Sequence, residues 1–248
     1  MPISVHVLTK NSSHTIFETL KSLLSFPEVI VFDTGSTDET LEIASQFPNV
    51  KIHHASMKGF GAAHNEAAKL SSYDWILSID SDETLSPELS QEIHALKLNP
   101  QCVYAILRDN YLNGKKITFC AGWHPDWVIR IYNKNNTHFS TDAVHEKVLT
   151  ENLQVIKLRH TLRHIPYRTT ADFLEKMQLY SSFFAKQHQG KKQSSLAHAI
   201  FHSWLAFCKN YFLKRGIFGG REGFILSLYN AQTTYYKYLK LAELNKKL

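Results

Sequence analysis

The first eighty residues alternate short apolar runs with stretches of helical spacing. Ile3–Thr9 is rich in aliphatic and β-branched residues and predicts a strand. Ser12 and Ser13 then offer caps for a helix whose apolar positions Ile16, Leu20, Leu23 and Leu24 fall three or four residues apart. Residues 29–32 form a fully apolar run that ends at Asp33, and Ser36-Thr37-Asp38-Glu39 reads as a cap and acidic first turn before Leu41, Ile43 and Ala44. A weaker strand over 50–53, a helix over 62–70 and a strand over 75–79 that stops at Asp80 complete the pattern. Strands alternating with short helices predict a parallel sheet with helices on both faces.

After Pro87 the spacing predicts a helix to Leu98, then extended aromatic-rich pieces over 103–148, with turns at Asn113-Gly114 and Asn135-Asn136, in mixed or antiparallel pairing. From Ala171 the pattern is helical: Phe173, Met177, Tyr180 and Phe184 share one face, as do Leu196, Ile200, Trp204 and Phe207. Gly216, Gly219, Gly220 and Gly223 interrupt before a last helix. The reading is an α/β domain over 1–165 and a basic, aromatic helical extension over 166–248.

The chain has 248 residues, 44% hydrophobic and 20% charged, enough for one sizeable core with an appendage. The net charge of +6 conceals two opposite parts: residues 1–150 carry 12 Lys/Arg against 17 Asp/Glu, and residues 151–248 carry 16 against 5. An acidic front argues against a chain coated in nucleic acid, whereas a basic rear can face phosphates. Cys102, Cys120 and Cys208 are widely spaced and odd in number, which predicts neither a disulfide framework nor a thiolate zinc site and fits a reducing cytoplasm. No leader pattern opens the chain and no apolar run approaches the roughly 18 residues of a membrane span, so a cytoplasmic location is expected.

In an open parallel sheet, ligands bind outside the carboxyl ends of the strands. Three polar clusters fall at such ends: Thr9-Lys10-Asn11, the 33–38 segment, and Asp80-Ser81-Asp82-Glu83. One such cluster alone is an ordinary cap or turn. Three on one edge point to a ligand. Asp80 and Asp82, two residues apart, suit a divalent cation that also holds a diphosphate. Gly59-Phe60-Gly61 lacks the third glycine and strand context of a dinucleotide loop, which disfavours a nicotinamide cofactor.

These motifs, with Asn65, resemble inverting family 2 glycosyltransferases of the GT-A fold, a Rossmann-like, mostly parallel sheet flanked by helices. Residues 121–130 and 144–148 are similar to the lipopolysaccharide core β-1,4-glucosyltransferase branch, and the resemblance covers about residues 3–240. It implies a nucleotide-sugar site built from Thr9, Asn11, Asp33, Ser36, Asn65, Asp80, Ser81 and Arg130, with Asp33 on the base and Asp80 on the ribose. It further implies Mg²⁺ or Mn²⁺ on Asp82, with His164 near the diphosphate or the metal. The donor implied is UDP-glucose and the acceptor a lipopolysaccharide or related envelope glycolipid. In the family an acidic pair follows the basic-apolar strand and its second member is the general base; the corresponding residues here are His145-Glu146. Inversion by a single displacement needs one group to take the acceptor proton. Glu146 is the first candidate and Asp126 the second. Arg130 either contacts the diphosphate or braces the site.

Basic and aromatic residues interleave in the rear, including Lys209, Lys214 and Arg215 with Trp204, Phe207 and Phe212, which predicts peripheral attachment to the inner leaflet beside the alternative of a solvated basic face. A different class stays open: a nucleotide- or nucleic-acid-binding protein using the basic tail, for which the Asp80/Asp82 pair has no use.

Overall fold

A computed structural model describes residues 2–55, 59–119, 123–140 and 146–246. Cys120 and the 121–122 and 144–145 parts of the motifs above lie outside the described residues. The chain forms two compact units, Met1–Asp109 with Asp126–His164, and Asn110–Pro125 with Ile165–Leu248.

In the first unit β1 (Ile3–Thr9), β2 (Glu28–Asp33), β3 (Val50–His54) and β4 (Trp75–Asp80) pair in parallel in the order β3-β2-β1-β4. The crossovers contain α1 (Ile16–Lys21), α2 (Thr40–Ala44) and α3 (Phe60–Leu70). Both faces of the sheet are covered. Val5, Val7, Val31, Leu77 and Ile79 pack with Ile16 and Leu20 of α1 and with Leu89 and Ile93 of α4 (Pro87–Ala95). Leu8 and Phe32 point to the other face and meet Ala63 and Ala67 of α3. Two-sided burial is the reason these strands read as continuous apolar runs, and each fully buried aliphatic side chain contributes roughly 1.5–3 kcal/mol.

Beyond β4 the sheet turns antiparallel, so it is mixed rather than mostly parallel. β8 (Asp126–Asn133) pairs with both β4 and β6 (Cys102–Leu112), and β5 (Glu83–Leu85) pairs with β9 (Gln154–His164), giving the order β4-β8-β6-β9-β5. The sequence does not predict β9. Its buried residues Leu158 and Leu162 are four apart, a helical spacing, and Lys157, Arg159 and Arg163 interrupt any apolar run.

Three expected boundaries move. Ser12 and Ser13 do not cap α1, which starts at Ile16 without a side-chain cap; their amides donate to Thr40 Oγ1 at 2.7 Å and Asp38 Oδ2 at 3.1 Å. They tie the β1 and β2 loops together instead. α3 begins at Phe60, after Gly59 at φ 120°. α4 ends at Ala95 because Leu96 and Leu98 turn extended to pack on the core. At the opposite sheet edge Glu28 is buried. Burial alone would raise its pKa, but hydrogen bonds from Lys51, Ser4 and Ser72 outweigh this and hold it at about 2.

In the second unit β7 (Lys115–Lys116) pairs with Tyr111 and Leu112, and three helices follow: α5 (Thr170–His188), α6 (Leu196–Cys208) and α7 (Gly220–Asn245). A reciprocal box between Thr169 and Asp172 starts α5. Its core gathers Leu112, Ile117, Trp123, Tyr167, Met177 and Leu226, with the Tyr167 and Phe173 rings stacked at 4.0 Å. Between α6 and α7 the chain makes a π-helical turn, Lys209–Leu213, and a 3₁₀ turn, Gly216–Gly219. Among the described residues, no helix is long and apolar enough to cross a membrane.

Candidate active site

β1 has β2 on one side and β4 on the other, so the strand order reverses there and leaves a crevice at the carboxyl ends. Register places the polar ends level with one another, with Thr9 opposite Asp33 and Leu8 opposite Asp80. At the β2 end Asp33 accepts from the amides of Gly35 and Ser36 and from the Ser36 hydroxyl, and lies 3.4 Å from His54 Nδ1. Burial opposes its charge, but the Ser36 and Gly35 donors outweigh it and hold the carboxyl below its usual value. Asn11 locks the same loop by accepting from Thr37 N at 2.8 Å, while its own amide donates to Ser36 Oγ at 2.9 Å. Thr9 is buried, and its Oγ1 has no hydrogen-bond partner among the described residues.

The β4 end carries a dense charge cluster. Arg130 on β8 is buried and donates through Nη2 to both Asp80 and Glu83. Arg108 on β6 donates through Nε to Asp126 Oδ2 at 2.8 Å and through Nη1 to Glu83 Oε1 at 3.3 Å, and stands 3.7 Å from Asp80. Glu83 also accepts the Asp80 backbone amide at 3.0 Å. Desolvation would raise Asp80, but the two guanidiniums outweigh it and hold this carboxyl well below the carboxylate range. Burial pushes Glu83 up against the pull of the same arginines. Glu83 falls in a polar cluster named from the sequence but has no role of its own there, and Arg108 is not singled out. The available signal was Arg108, a basic residue closing the apolar run of residues 102–107.

Asp82 Oδ1 lies 3.4 Å from His164 Nε2, because β5 pairs antiparallel with the end of β9 and sets Glu83 opposite His164. Ser81, between the two aspartates, shares a 2.8 Å hydrogen bond with Ser12 Oγ. Glu146 is half-buried, and its carboxyl is raised chiefly by desolvation and also by the Asp80 charge. Asp126, the other candidate base, is engaged by Arg108.

Asn65, expected among the donor contacts, is held on the backbone of Phe139. Its side-chain amide donates to Phe139 O at 2.9 Å and accepts from Phe139 N at 2.9 Å, so both polar ends are used on one backbone. His64 stacks on the Phe139 ring at 4.2 Å. Gly61 permits the close approach that follows: a Cβ there would stand 1.9 Å from Ser140 O and 3.3 Å from Glu146 Cβ. α3 therefore packs directly against Phe139, Ser140 and Glu146. Asn65→Ala should cost roughly 1–3 kcal/mol of stability, through two lost backbone hydrogen bonds, and lower kcat more than donor affinity. Denaturant unfolding with steady-state kinetics checks this; unchanged kcat would detach the brace from catalysis.

A reversed-order α/β sheet with acidic strand ends, continued by antiparallel strands, is the GT-A glycosyltransferase fold. Residues 4–156 match the model of Glycosyl transferase family 2, and the chain belongs to that family. It is 29% identical to the uncharacterized glycosyltransferase RT0209 of Rickettsia typhi, over 99% of this chain and 88% of that protein. It is 22% identical to the lipopolysaccharide core biosynthesis glycosyltransferase LpsC of Rhizobium meliloti, over 98% of this chain and 92% of that protein. Among solved structures, S. aureus TarS in complex with UDP-GlcNAc superposes with a TM-score of 0.50 at 16% identity, covering 100% of this chain and 91% of that one.

Proposed function

We propose that the chain moves a hexose, glucose first among them, from a uridine diphosphate sugar to a lipopolysaccharide-core or related envelope glycolipid presented at the inner leaflet, with inversion at the anomeric carbon. The observation that carries the reading is the level row of Thr9, Asp33 and Asp80 ends at the strand-order reversal of a family 2 chain. Two buried polar atoms without hydrogen-bond partners among the described residues, Thr9 Oγ1 and Arg130 Nε, lie on strands at this edge, as expected where a polar ligand completes the bonding. LpsC, named for lipopolysaccharide core biosynthesis, supports the acceptor class, and TarS bound to UDP-GlcNAc makes uridine diphosphate sugars the first donors to test.

In this reading Asp33 and Asn11 hold the loop against the nucleoside, and Asp80, fixed by Arg130, orients the ribose. Glu146 takes the acceptor hydroxyl proton as the oxygen bonds to the anomeric carbon and the nucleoside diphosphate leaves from the opposite face. Asp82 and His164, 3.4 Å apart, would be the protein's donors to a divalent cation, and since no group of three such side chains forms among the described residues, the donor's diphosphate would have to supply further oxygens. Bound there, it would neutralise charge on the departing diphosphate.

A thermal-shift panel of UDP-glucose, UDP-GlcNAc, UDP-galactose and GDP-mannose, each with Mn²⁺ or EDTA, tests donor class and metal together. A hundredfold excess over Kd adds about 2.7 kcal/mol to native-state stability. The expected result is a metal-dependent rise in Tm with UDP-glucose; no shift with any sugar nucleotide would reject the reading.

A further inference from the structure

The second unit carries a surface that is both cationic and apolar. Residues 176–221 hold eight Lys/Arg and no Asp/Glu, so this stretch is uniformly cationic. It is also the part of the chain with large apolar side chains most exposed. On α6, which has no Lys, Arg, Asp or Glu, Trp204 is 60% exposed, and on the turns that follow, Leu213 is 80% and Phe218 76% exposed. Soluble proteins rarely leave such residues grouped in water without a partner.

The two turns make an elbow with a fixed shape. Arg215 adopts the left-handed conformation at φ 61° and reverses the chain between the π-helical and 3₁₀ turns. Glycines clamp the elbow onto α7: a Cβ on Gly223 would stand 1.9 Å from Gly216 O, and one on Gly216 2.8 Å from Asn210 O. Tyr211 packs edge-on against Phe224 of α7, with ring centroids 5.9 Å apart. Leu213 and Phe218 are therefore held outward by a packed base. Lys209, Lys214 and Arg215 sit on the same short segment, and Thr118, Phe119, Arg215 and Phe218 line an open groove of about 560 Å³ beside it.

We propose that this elbow is a membrane wedge: Leu213 and Phe218 enter the interfacial layer of an anionic bilayer while Lys209, Lys214 and Arg215 meet headgroup phosphates. Apolar tips with cations on the same short segment match the two layers of such a surface, acyl chains beneath negative headgroups. A second copy of the chain fits less well. A symmetric contact would set the same cations against each other, and like charges in apposition oppose association. The inference deepens the proposed function by naming what presents the acceptor, and it rests on that reading only for which membrane is served.

The test is co-sedimentation of the full chain with vesicles of phosphatidylcholine alone or mixed with phosphatidylglycerol, together with sedimentation velocity and the UDP-glucose thermal shift. Wild type should favour anionic vesicles by about tenfold or more and lose this preference in high salt. Leu213→Glu with Phe218→Glu should abolish vesicle binding, and Lys214→Gln with Arg215→Gln should remove the anionic preference, both with an unchanged donor-induced Tm shift. Equal partitioning of wild type onto both vesicle types overturns the wedge. So does a double Glu variant that binds vesicles normally, or one that only converts a dimer to monomer. A missing donor shift with intact vesicle binding rejects the transferase reading and leaves the wedge standing.

Discussion

Glu146→Gln should abolish sugar transfer while UDP-glucose still stabilises the protein as in wild type. The substitution keeps the side chain's size and removes its capacity to take a proton. General-base catalysis contributes about 10²–10⁴ in rate, or roughly 3–5 kcal/mol of barrier. The environment favours this role: desolvation first, then the Asp80 charge, raises the Glu146 carboxyl above its ordinary value. A base must be ionised to act, so kcat should fall as pH drops through a pKa raised above the ordinary glutamate value, and Glu146→Gln should flatten that limb of the profile. Asp126→Asn makes a sharp contrast. Asp126 is paired with Arg108, so its loss should lower stability and leave the pH limb in place. If Asp126→Asn removes the limb and Glu146→Gln keeps turnover, the base is Asp126.

Arg130→Met should unfold the protein at substantially lower denaturant and cost roughly 3–5 kcal/mol, because it strands Glu83, fully buried, beside Asp80 with only Arg108 left to balance them. The pH dependence of that loss carries the sign of the mechanism. Burial already raises Glu83 in the native state, and without Arg130 it would be raised further. A carboxyl whose folded pKa exceeds its unfolded value destabilises most above the folded pKa, and the penalty fades as pH falls toward the unfolded value. The gap between Arg130→Met and wild type should therefore narrow from neutral to mildly acid pH, measured by urea unfolding. Arg130→Lys, with one compact ammonium for two carboxylates, should recover part of the loss. A pH-independent gap would show that the cost is lost packing rather than an unpaired charge.

How far the site was legible depends on the range of the interactions that make it. β1, β2 and β4 announce themselves because both sheet faces are covered, and the acidic residues at their ends stand directly after the apolar runs. Arg108 and Glu83 are different. They matter through Arg130 and Asp80, each brought from another strand, and pairing across a sheet leaves no local pattern. Asn65 stands out in the sequence only through the resemblance, and its bond to Phe139, 74 residues away, has no local signal. Ser12 and Ser13 look like helix caps in isolation; the β2 loop competes for their amides and takes them.

The amino-acid order by itself determined the parallel half of the sheet, the row of polar strand ends and the cationic, aromatic rear, since each follows from neighbours within a few residues. Only tertiary structure decided that β9 is a strand, that residues 110–125 group with the helical unit, and that the carboxylates at the β4 end are neutralised by two guanidiniums. It also decided that Leu213 and Phe218 stay exposed. The reason is common to all four: burial and charge pairing are summed over parts of the chain far apart in sequence, and hydrophobic spacing reports only the local share of that sum.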